Sequence, residues 1–95
     1  MAPPRVSLAH LPTPIEALPR LSKDIDGANL LVKRDDCTGL AMGGNKARQL
    51  EFYFGDARAQ GADTVLITGA VQSNYVRMTA AAAAKLGLAC HVQLE

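Results

Sequence analysis

The stretch from Asp63 to Leu94 narrows the possible folds of this chain more than any other. "DTVLITGA" is a nearly continuous apolar run, of the kind that suits a strand buried on both faces. "SNYVRMTAAAAAKLG" follows, alanine-rich and ending in glycine, and "ACHVQLE" returns to a β-favouring pattern. Strand, helix and strand in that order predict a βαβ unit over 63–94, with parallel strands and a right-handed crossover. Ser73 stands where the helix needs an N-cap and Gly87 where it needs to stop. The chain is read as α/β.

Upstream, "LAMGGNKARQLEF" sets Gly43, Gly44 and Asn45 directly before Lys46. Ala47, Leu50, Phe54 and Ala57 then recur at steps of three and four, which predicts a helix with Asn45 as N-cap and Gly61 as stop. A cation is mildly disfavoured at a helix N-terminus. A lysine in that position, behind two glycines that let backbone approach another group closely, is either a small-cost accident or an amine with chemical work, because such surroundings favour the uncharged, nucleophilic form. Before this helix, "ANLLVKRDD" predicts a strand ending near Lys33. The first twenty residues hold all five prolines and predict an extended arm with one helical turn near Glu16 to Leu21.

Bulk properties exclude several function classes. The 95 residues suffice for one small core, and a net charge of +1 creates no field to steer the chain to nucleic acid or a membrane surface. Aromatic content of 4% argues against a stacking platform for bases. Cys37 and Cys90 lie far apart with no CxxC and are read as free thiols, while His10 and His91 lack metal-ligand spacing, so no metal is expected. Prolines stand where a signal peptide needs an apolar run, and no segment reaches membrane-span length, which predicts a cytoplasmic protein.

Chemistry concentrates at two loop-to-helix junctions, "GGNK" at 43–46 and "GAVQSN" at 69–74. Ligands of open α/β sheets gather beyond the carboxyl ends of strands, where helix N-termini present free N–H groups. Gln72, Ser73 and Asn74 could there grip a carboxylate or phosphate, although Ser73 has equally the plain role of a cap. Neither junction carries GxGxxG, and Asn45 breaks the Walker pattern. Lys33, Arg34, Asp35 and Asp36 look like a catalytic cluster but are read as a strand end tied into a loop by ion pairs. Arg77 either assists a carboxylate site or is solvated. Met42 is expected beside the glycine loop and Met78 in the core.

"KRDDCTGLAMGGNKARQLEF" followed by "GADTVLITGAVQSNYVRMTAAAAAKLGL" resembles the N-terminal part of the pyridoxal-phosphate enzymes of the 1-aminocyclopropane-1-carboxylate deaminase and D-cysteine desulfhydrase family. KRDD, GGNK and QSN occur together, in order, and the likeness runs from "LPTPIE" at Leu11 to the end. The resemblance implies a tryptophan-synthase-β-like fold with pyridoxal 5'-phosphate as cofactor and a small amino acid as substrate. Lys46 would form the Schiff base, Asn74 would hydrogen-bond the cofactor's ring hydroxyl beside Asn45, and Ser73 would face the substrate as a catalytic group or carboxylate contact, with Gln72 and Asn74 as further substrate-binding residues. D-cysteine desulfhydration is the reaction implied first, with 1-aminocyclopropane-1-carboxylate deamination and L-cysteate sulfo-lysis as alternatives. An inactive α/β module is the alternative of another class. Gln49 and Tyr75 depart from residues common in the family, and both bear on which amino acid fits. The family's glycine-rich phosphate loop and substrate tyrosines have no counterpart in these residues. The chain is therefore expected to be an N-terminal piece of a dimeric enzyme and inactive by itself. Residues 1–52 would belong to the larger cofactor domain and 53–95 would open a smaller one.

Overall fold

The computed structural model describes residues 2–95. Strand β1 (Ile15–Ala17) leads into helix α1 (Pro19–Ile25) and strand β2 (Leu31–Lys33), and tight turns at Asp35–Cys37 and Leu40–Met42 then lead to helix α2 (Lys46–Ala59). Strand β3 (Thr64–Gly69), helix α3 (Asn74–Leu86) and strand β4 (Ala89–Leu94) complete the order. β1 pairs antiparallel with β2, and β3 pairs parallel with β4 from Thr64 opposite Ala89 to Gly69 opposite Leu94. The βαβ expectation over 63–94 thus holds in elements and strand direction. Glu16 lies in β1, so the helical turn expected from Glu16 begins only at Pro19, whose ring fixes φ for a first helical turn.

The core lies between α2 and α3. Ala47, Leu50 and Phe54 meet Met78, Ala82 and Ala83, with Leu8 of the arm closing one side. Alanines at the contact let the two helices approach closely, and Val65 and Cys90 of the sheet pack against the same cluster. Residue 52, where two units were expected to meet, lies inside the continuous helix α2.

Two expectations about burial are corrected. β3 is not buried on both faces: α3 covers Val65 and Ile67, which are half-buried, whereas Leu66 on the opposite face is 79% exposed. The open face of β3 therefore carries Leu66. Met42 projects outward, 87% exposed, because its left-handed backbone (φ 72°) turns it away from the packed loop.

The arm lies on α2. Glu51 is 1% exposed, and its carboxylate accepts from Leu8 N–H (2.9 Å), Ala9 N–H (2.8 Å) and Arg5 Nε (2.7 Å). Burial by itself would raise the Glu51 pKa, but these donors outweigh it and hold the carboxyl below its ordinary value. Gly55 one turn on permits the contact, since a Cβ there would come within 2.7 Å of Arg5 Cα. The KRDD residues act as ties. Lys33 Nζ donates to Thr13 O, Arg34 bridges Glu16 and Asp36, and Asp35 is gripped by Arg48 and Thr13.

Candidate active site

The two junctions come together where α2 and α3 begin. Asn45 occupies the position before α2, but its backbone is already helical (φ −70°, ψ −24°) and its side chain caps nothing. Its Oδ1 instead accepts from Asn74 Nδ2 at 3.2 Å, which joins the starts of the two helices. The expectation of Asn45 as a side-chain cap is corrected by this bond. Ser73 does cap α3: in extended conformation, its Oγ accepts from Val76 N–H at 3.3 Å. As an acceptor there, the hydroxyl keeps its own proton available.

Lys46 is half-buried in the first turn of α2. Its Nζ makes no hydrogen bond or ion pair among the described residues and lies 5.7 Å from the centre of the Tyr75 ring. Burial foremost, and Tyr53 to a lesser degree, raise the Tyr75 pKa, so at neutral pH the ring is an uncharged π face. Gln72 is exposed in the turn after β3 and makes no side-chain hydrogen bond among the described residues, so it is not drawn into the Asn45–Asn74 pair. Hollows of about 310, 360 and 650 Å³ lie on the open sheet face, beside the arm and near α1, so none of these is bounded by Lys46, Ser73 or Asn74.

The glycine loop is held tightly. Gly43 and Gly44 have φ of 85° and 147°, which side-chain-bearing residues rarely adopt. A Cβ on Gly44 would stand 2.8 Å from Met78 Sδ and 3.4 Å from Asn74 Nδ2, so only glycine lets this backbone reach α3. Arg77 fits neither reading made from the sequence. Its guanidinium spans to the loop and donates to Ala41 O (2.8 Å) and Gly43 O (2.9 Å). Glu51, Thr38 and Arg77 were missed as organising residues. Glu51 alone left a signal, a charge between Leu50 and Phe54 on the apolar stripe of α2.

Residues 6–95 match the sequence profile of the family described as pyridoxal-phosphate dependent enzyme. The chain is 59% identical over 92 residues to the D-cysteine desulfhydrases of Salmonella paratyphi A and Klebsiella pneumoniae subsp. pneumoniae, covering 97% of this chain and 28% of each relative. A crystal structure described as that of an ACC deaminase homologue superposes with a TM-score of 0.92 at 51% identity, over 97% of this chain and 28% of that one. The chain thus spans somewhat over a quarter of the length of the relatives it matches. The profile covers nearly all of the described residues, and the whole βαβ unit and both junctions lie within it, so this chain belongs to the pyridoxal-phosphate-dependent enzyme family.

Proposed function

We propose that this chain supplies the cofactor lysine and part of the substrate site of a lyase or deaminase acting on a small amino acid, with D-cysteine desulfhydration as the reaction. The observation that carries the reading is Lys46, whose amine has no ionic partner among the described residues and lies at the junction of two helix N-termini, two residues after a glycine whose place against α3 leaves no room for a side chain. The donor set fits pyridoxal phosphate: a primary amine for its aldehyde, and the amide of Asn74 for its ring oxygen. Bound there, the cofactor supplies an electron sink for charge developing at the substrate's α-carbon.

The chain's own residues would then divide the work. Lys46 would hold the cofactor through its amine and would serve as the base for the substrate's α-proton. Asn45 orients Asn74 by accepting one of its amide protons. Ser73 Oγ–H and Gln72 offer donors to the substrate carboxylate at the start of α3, where free N–H groups favour an anion. Each turnover would convert D-cysteine and water to pyruvate, ammonia and hydrogen sulfide. The reading includes a cytoplasmic homodimer. No helix among the described residues is long and apolar enough to cross a membrane, and Leu31, Ile15 and Leu66 offer exposed apolar surface for further protein to cover.

The test uses the protein expressed from its whole reading frame. Borohydride reduction with pyridoxal phosphate, followed by peptide mapping, should place the pyridoxyl group on Lys46. D-cysteine should yield equal amounts of pyruvate and sulfide, faster than L-cysteate yields sulfite or 1-aminocyclopropane-1-carboxylate yields ammonia. Label on another lysine, or preference for either rival substrate, would overturn the corresponding part.

A further inference from the structure

Two residues outside the proposed cofactor contacts converge on the loop that delivers Lys46. Thr38 is fully buried, and its Oγ1 both donates to Gly44 O (2.7 Å) and accepts from Gly44 N–H (2.9 Å). One hydroxyl thus satisfies both backbone groups of the glycine two residues before the lysine. Arg77 reaches the same loop from α3 with two separate nitrogens, one on Ala41 O and the other on Gly43 O. No carboxylate pairs with Arg77 among the described residues, so its charge is directed at backbone carbonyls.

The loop needs such support. Ala41 (φ 48°) and Met42 (φ 72°) are side-chain-bearing residues in the left-handed region, immediately followed by the two positive-φ glycines. Backbone of this kind persists only where surrounding contacts over-determine it. The start of α2 has no side-chain cap of its own, so the place where the helix begins is set by the loop. From these contacts we infer that Thr38 and Arg77 are positioning residues: a two-sided clamp that presents Lys46 to the start of α3 in the geometry its reaction with an aldehyde requires. Thr38 acts from the same loop, and Arg77 couples the loop to the helix that carries Asn74. The inference rests on the proposed role of Lys46.

The experiment measures the rate at which Lys46 of the apoprotein, expressed from its whole reading frame, condenses with pyridoxal phosphate. The rate is followed by visible absorbance and assigned by borohydride trapping and peptide mapping. Thr38→Val keeps the side-chain shape and removes both hydroxyl bonds, Thr38→Ser keeps the hydroxyl, and Arg77→Met removes both carbonyl bonds. Condensation at Lys46 should fall at least tenfold in Thr38→Val and Arg77→Met and stay within threefold of wild type in Thr38→Ser. Amide hydrogen exchange over Gly44 to Ala47 should accelerate at least tenfold in the two slow variants. Should Thr38→Val not fold, Arg77→Met carries the same test from the other side of the clamp. Variants that melt earlier yet condense at the wild-type rate below their transition would overturn the clamp while leaving Lys46 as the cofactor lysine. Wild-type label on another lysine would overturn the cofactor reading and the clamp together.

Discussion

Asn74 Nδ2 donates to Asn45 Oδ1 across 3.2 Å, so the residue that opens α3 is tied to the residue that precedes Lys46, 29 positions earlier in the chain. The pair is exposed, and its consequence is for orientation more than for stability. One amide proton of Asn74 is occupied, which leaves the other available to a further acceptor.

Asn74→Ala should therefore change stability by less than about 0.5 kcal/mol, as expected of an exposed site. Loss of a hydrogen bond to an ionised ring oxygen, at about 1–3 kcal/mol, should weaken pyridoxal phosphate binding roughly 5- to 150-fold and shift its visible absorption maximum. Titration of the apoprotein measures both. Unchanged affinity and spectrum would remove Asn74 from the cofactor site.

Ser73→Ala should lower stability by about 1 kcal/mol through loss of the cap on α3. If Ser73 also meets the substrate, turnover at saturating D-cysteine should fall at least tenfold while cofactor affinity is unchanged. Ser73→Asp separates the two roles, because aspartate caps a helix well but repels a carboxylate. Wild-type turnover in Ser73→Ala would leave this residue as a cap only.

Glu51→Ala would leave the Leu8 and Ala9 N–H groups without their acceptor and Arg5 without its ion pair. A cost of about 1–3 kcal/mol follows, read as an earlier denaturant midpoint, together with faster proteolysis near the prolines of the arm. An unchanged midpoint with an intact arm would show that Leu8 packing alone holds the segment.

Acid should loosen the loop in a defined window. The Arg48 guanidinium, with Thr13 second, lowers the Asp35 pKa from 3.8 to about 2. Because the folded-state value is the lower one, the stability that Asp35 contributes is complete above 3.8 and is lost as pH falls through about 2. Asp35→Asn should flatten the pH dependence of unfolding between those values while lowering stability at neutral pH. A variant with the same acid limb as wild type would show that other carboxylates, Glu51 among them, set it.

Local pattern was enough to read α2 from its apolar period, β3 and β4 from their β-favouring apolar residues and α3 from its alanines, and Ser73 and Gly87 mark the ends of α3 in residue types suited to those ends. The motifs GGNK and QSN likewise pointed to two junctions and to Lys46. What lay beyond local pattern depends on contacts between distant parts of the chain. Arg77 meets Ala41 over 36 positions and Glu51 meets Leu8 over 43, and no periodicity records which carbonyl or amide a long side chain will find. Thr38 looked like one more loop residue until folding enclosed it, when its hydroxyl became the partner of both backbone groups of Gly44. Asn45 was placed correctly before α2 yet given the wrong partner, since capping is a local contact and the amide that claims its oxygen comes from the other helix.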